Sequence, residues 1–159
     1  MNEDLSSRRH TRPEDAGGSG GSGGWLRRPA AALTEAIAFG LDDLPALRDF
    51  VAARAGGAGI AAEALGDLLV AVNEVATNAV THGGSKARLC LWRSSGLFVV
   101  EIYDDGHWTP EAPPGRTPPG DFATSGMGLW VSSLLSEAIH FDHGPQGTTV
   151  TMGFRIQGI

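Results

Sequence analysis

A single cysteine, Cys90, excludes an internal disulfide, and its place in the apolar run ARLCLW reads as burial in a strand rather than catalysis. No apolar stretch approaches the roughly 18 residues of a membrane span. The N-terminal stretch MNEDLSSRRHTRPEDA also lacks the apolar centre of a secretion signal. These absences lead us to expect a soluble, cytoplasmic protein with no membrane partner. Basic residues are scarce as well: 12 Lys and Arg stand against 18 Asp and Glu, for a net charge of -6 and a pI near 5.2. Binders of phosphate backbones concentrate cations to displace counterions, so direct nucleic-acid binding is not expected. Arg116 is the only Lys or Arg between Asp105 and Phe154, which excludes a lysine-based phosphate loop there. His107, His140 and His143 lack the spacing and companions of a metal site.

What remains is enough for one domain: 159 residues, 42% of them apolar. Residues 1–29 mix charge, proline and the run GGSGGSGG from Gly17 to Gly24, a composition that buries too little surface to offset its ordering entropy. They read as a disordered tail and linker, either natural low complexity or an engineered tether, and Trp25 as a linker residue or a partner anchor. Residues 33–156 read as the globular domain. LTEAIAF suggests a first strand, and DDLPALRDFVAARA a helix capped by Asp42 or Asp43 and stopped by the glycines from Gly56. A second helix is expected from about Ala61 to His82, with Leu65, Leu68, Leu69, Val72, Val75, Ala76, Ala79 and Val80 at helical spacing. Lys86 to Trp92 and Leu97 to Tyr103 predict an antiparallel hairpin, with Trp92 in a core or interface. The Pro-, Gly- and Thr-rich stretch from Asp104 to Ser125 predicts a long loop, and a third helix is expected from near Met127, where Trp130 is again core or interface. AIHFDH and TTVTMGFRI then read as closing strands around GPQG. This order predicts an α+β fold, a two-layer sandwich with helices on one face of a mainly antiparallel sheet.

Three short segments carry polar chemistry. In NEVATNAVTH, Glu74 and Asn78 stand at i and i+4 on one helical stripe with His82. A carboxylate that can take a proton therefore sits one turn from an amide that can offer oxygen to Mg²⁺. Equally, such a stripe is an ordinary solvated helix face, and His82 a C-terminal helix cap. In VVEIYDDGHW, an apolar strand stops at Asp104, whose carboxylate can accept from an exocyclic amine while Gly106 admits a ligand to the backbone. The alternative is an Asp-Gly turn. In TSGMGL, Gly126, Met127, Gly128 and Leu129 lead straight into an apolar helix, whose unpaired N–H groups and dipole suit phosphate. A hinge with no ligand uses the same residues.

In this order the three segments resemble the Bergerat fold shared by gyrase, heat-shock chaperone, histidine kinase and mismatch-repair ATPases. The E-x-x-x-N pattern is matched by Glu74 and Asn78, D-x-G by Asp104 and Gly106, G-x-G-L by Gly126, Gly128 and Leu129, and a final Gly-Thr by Gly147 and Thr148. Within that superfamily the short domain most resembles the bacterial anti-sigma factor serine/threonine kinases. It shows neither the dimerisation helices nor the phosphoacceptor histidine of a sensor histidine kinase.

The resemblance implies ATP and Mg²⁺ as ligands. Asn78 would bind the metal, Asp104 the adenine amine, and Thr148 the adenine through water. Gly106 would line the base, the backbone from Gly126 to Leu129 would hold phosphates, and Asp105 to Ser125 would form the lid. Glu74 takes the place of the general base, which implies phosphorylation of an antagonist protein on Ser or Thr by a factor that also binds a sigma factor. The family commonly continues D-x-G-x-G, but Trp108 stands at the second glycine's place. That departure supports a rival reading, a non-catalytic, ATP-dependent protein-binding module. Arg116 can meet the γ-phosphate or face solvent. The sequence leaves the oligomeric state open, a homodimer among the options.

Overall fold

The computed structural model describes residues 35–83, 86–106, 131–132 and 134–157. Five strands form one sheet: β1 (Glu35–Phe39), β2 (Ala87–Ser94), β3 (Leu97–Asp104), β4 (Ala138–Gly144) and β5 (Gly147–Arg155). Their spatial order is β1-β2-β3-β5-β4, and every neighbouring pair is antiparallel. Two helices, α1 (Leu44–Ala58) and α2 (Ala62–His82), pack on one face. The fold is α+β with two layers, as the sequence suggests.

In α2 the buried positions are Leu68, Ala71, Val72, Val75, Ala76 and Ala79, the i, i+3, i+4, i+7 stripe of an amphipathic helix. That stripe meets the inward side chains of the sheet, Leu89, Leu91, Val100, Ile102, Val150 and Met152 among them. Leu68 is fully buried, so truncation to alanine would cost about 2–5 kcal/mol. On the opposite face, Cys90, Trp92 and Val99 form a separate buried cluster, which accounts for two of the residues expected to be structural.

Local chemistry explains the element ends. Ser94 pairs with Leu97, leaving Ser95 (φ 55) and Gly96 (φ 77) as a two-residue turn with positive φ at both positions, the geometry that matches the twist of the flanking strands. Likewise Gly144 pairs with Gly147, so the strands absorb both glycines and only Pro145 and Gln146 turn the chain. Of the glycines from Gly56 expected to stop α1, Gly56 and Gly57 do not and Gly59 does. The helix runs through them to Gly59, whose left-handed φ of 106 forms the C-terminal cap. Asp43 holds the N-cap position of α1 without a side-chain capping bond, and its Oδ2 accepts from the Gly40 N–H at 2.8 Å. Residues 131, 132, 134 and 135 are helical, within the stretch expected to form the third helix.

Candidate functional site

The site grows from the C-terminal half of α2, the end of β3 and the start of β5. Because the α2 stripe at Val72, Val75, Ala76 and Ala79 turns inward, Glu74 and Asn78 come to lie half-buried at its flank. His82, the last residue of α2, is exposed. Beside Glu74, Asn73 Oδ1 accepts from Arg48 Nη1 of α1 at 3.0 Å and ties the two helices together. Thr81 returns its hydroxyl to the Thr77 carbonyl of its own helix.

Asp104 ends β3 and is 3% exposed. Burying a carboxylate is costly unless hydrogen bonds compensate, and Asp104 Oδ1 accepts from the Gly106 N–H at 2.7 Å. The carboxylate lies against the end of α2: a methyl on Gly83 would overlap Asp104 Oδ1 and Cγ and sit 2.6 Å from the Ala79 carbonyl oxygen. Gly83 is thus a site residue that the sequence presents only as a helix stop. Its function here is to leave space.

Thr148 is the direct cross-strand partner of Asp104 and is 1% exposed. Its neighbour Gly147 adopts φ +141, and a side chain there would overlap the Asp104 carbonyl oxygen and lie 2.9 Å from Asp105 Cα. Both the conformation and the space require glycine. Tyr103 Oη donates to the Gln146 carbonyl at 2.7 Å and pins the adjoining turn. On the far side of Thr148 its partner in β4 is His143, so Ala87, Asp104, Thr148 and His143 form one row across four strands.

Two buried polar atoms here, Asn78 Nδ2 and Thr148 Oγ1, have no hydrogen-bond partner among the described residues. Native proteins rarely leave such groups unmatched, so both atoms are candidates to meet a polar ligand. The Asn78 carboxamide is not tied down at that end and can offer its oxygen to a hard cation. Among the described residues no group of three or more His, Cys, Asp or Glu could hold a metal ion.

Structure thus brings Asp104, Gly106 and Thr148 together at one end of the sheet, with Asp104 against the C-terminal end of the helix that carries Glu74 and Asn78. Gly126, Met127, Gly128 and Leu129 lie outside the described residues, as do His107, Trp108, Arg116 and Trp130.

Residues 37–154 match the histidine kinase-like ATPase domain. The chain belongs to that family. No curated protein matches this chain. Among solved structures it is similar to the RsbU and RsbW domains of Rv1364c from Mycobacterium tuberculosis, with a TM-score of 0.60 and 20% identity over 82% of this chain. The match covers 34% of that structure, so this ATPase domain spans about a third of it. The histidine kinase domain of the blue-light activated kinase from Erythrobacter litoralis EL346 gives a TM-score of 0.49 and 23% identity, over 80% of this chain and 66% of that one. Among the described residues no helix is long and apolar enough to cross a membrane.

Proposed function

We propose that this ATPase domain binds ATP with Mg²⁺, phosphorylates an antagonist protein on Ser or Thr, and binds a sigma factor. One observation carries the nucleotide reading: buried Asp104 and Thr148 stand opposite each other at the sheet end, with the Asp104 carboxylate against the helix that bears Glu74 and Asn78. In this reading Asp104 accepts from the adenine amine, Gly106 admits the base, and Thr148 supports it. Asn78 supplies the metal's amide oxygen, and the backbone from Gly126 to Leu129 holds the phosphates. When bound, Mg²⁺ would neutralise charge on the phosphate oxygens.

Glu74 would act as general base on the acceptor hydroxyl. As that oxygen bonds to the γ-phosphorus, the bond to the β–γ bridging oxygen breaks, ADP leaves, and the hydroxyl proton passes to the Glu74 carboxylate. The added phosphate charge would weaken the antagonist complex. Support for the partner classes comes from the motif resemblance, together with a structural neighbour that contains an RsbW domain. We assign residues 33–156 to this domain, residues 1–29 to a tail and linker, and the working compartment to the cytoplasm.

Trp108 at a position the family commonly gives to glycine supports a second reading, in which nucleotide only sets the shape of a protein-binding module. Incubating the full chain with γ-labelled ATP and lysate from its source separates the two. A small labelled acceptor supports the kinase. No transfer, combined with ATP-dependent partner affinity, supports the binding module.

A further inference from the structure

We propose that Tyr103 is a positioning residue for adenine recognition: its hydroxyl holds the turn between β4 and β5 so that Thr148 stays opposite Asp104. Thr148 is only the second residue of β5, and Gly147 before it is where the strand meets the turn of Pro145 and Gln146. Glycine restricts its own backbone least, and here it takes φ +141. The end of β5 that carries a proposed ligand group is therefore the end with the greatest freedom to swing. A water or a base edge that meets Thr148 and Asp104 together needs their separation fixed, because hydrogen bonds weaken steeply away from their preferred geometry.

Tyr103 removes that freedom from the neighbouring strand. Ile102 packs in the core beneath the helices and Asp104 lies against α2, so by strand alternation Tyr103, between them, belongs to the opposite face of the sheet. Its direct partner in β5 is Thr149. From there the ring reaches back along β5 to Gly147, where Tyr103 Cε1 lies 3.0 Å from the position a β-carbon would take. The hydroxyl then donates to the Gln146 carbonyl at 2.7 Å, joining residues 43 apart in sequence. The turn is thereby clamped to β3, the strand that ends in Asp104. A phenylalanine would cover Gly147 equally well but could not donate.

This role rests on the nucleotide reading above, and a double-mutant cycle separates the two. Calorimetry with ADP and Mg²⁺ on the full chain compares wild type, Tyr103→Phe, Thr148→Val and the double variant. Tyr103→Phe removes one oxygen and keeps the ring, and Thr148→Val keeps the side chain's shape. Thermal melting without ligand verifies that each is folded, and should valine unfold the domain, Thr148→Ala takes its place. Tyr103→Phe should weaken ADP binding about three- to tenfold, the range that one hydrogen bond supplies. Once the Thr148 hydroxyl is gone, the same substitution should change nothing, a dependence that a merely stabilising tyrosine would not show. Wild-type ADP affinity in Tyr103→Phe, or the same loss in both backgrounds, would overturn the proposal. Wild-type protein that binds no ADP, or Thr148→Val with undiminished affinity, would instead overturn the nucleotide reading at Thr148, and the role of Tyr103 with it.

Discussion

Gly83 and Asp104 share one small volume, in which the missing side chain of the first makes room for the carboxylate of the second. A methyl at position 83 would overlap Oδ1 and Cγ of Asp104, so either the carboxylate or the end of α2 must move. Gly83→Ala should therefore lower stability by about 1–3 kcal/mol, the usual cost of overpacking, and weaken ATP binding. Thermal melting of Gly83→Ala, Asp104→Ala and the double variant checks the cause. In the Asp104→Ala background the glycine substitution should cost less, with a remainder from the Ala79 carbonyl at 2.6 Å. Full additivity would show that the two residues do not compete for space.

Asp104 and Asn78 should fail in different ways, because one is assigned to adenine and the other to metal. Removing a buried acceptor costs about 1–3 kcal/mol, so Asp104→Ala should reduce ATP affinity and erase discrimination between ATP and GTP. Asn78→Ala should mainly remove the Mg²⁺ dependence. Titrations of both nucleotides with and without Mg²⁺ measure the two effects. Wild-type selectivity retained in Asp104→Ala would sink the adenine assignment.

Helical spacing made α2 and its polar stripe legible, because Leu68, Val72, Val75, Ala76 and Ala79 repeat with the period that buries them. The hairpin between β2 and β3 was legible from its turn residues, a local signal. The end of α1 was legible to the run of glycines but not to the one that caps it. Gly56 and Gly57 cost helix propensity but meet no obstacle in the helix, whereas Gly59 takes the left-handed conformation and caps it. Gly83 was legible as a helix end but not as a neighbour of Asp104, since that contact exists only once β3 docks against α2. Sequence pattern likewise marks β3 and β5 as strands without stating the register that sets Asp104 opposite Thr148, because pairing is a non-local choice.

Residues 1–24 should be dispensable for nucleotide binding, since their composition contributes no core. A chain beginning at Trp25 should retain its ATP affinity. Unfolding or a clear loss of affinity in calorimetry would place the tail within the domain. If the tail instead tethers a ligand, its removal should alter partner binding alone, through the lost effective concentration.

Glu74 offers the sharpest separation of binding from chemistry. It lies half-buried one turn before Asn78 on the flank of α2. That placement puts a carboxylate near the proposed metal-bound phosphates, while Asn78 remains the proposed metal ligand. Glu74→Ala should accordingly keep its ATP affinity and its sigma-factor binding. Phosphorylation of the antagonist should fall by about 10²–10⁴, the contribution of a positioned general base. Glu74→Gln, which keeps the shape and loses the basicity, should show the same loss if proton transfer is the cause. Transfer at the wild-type rate in either variant would remove Glu74 from the reaction. If wild type transfers no phosphate to any candidate antagonist, yet ATP shifts partner affinity, the non-catalytic reading stands. Trp108→Gly then becomes the decisive variant, because restoring the family's glycine should restore transfer if tryptophan at that position is what blocks it.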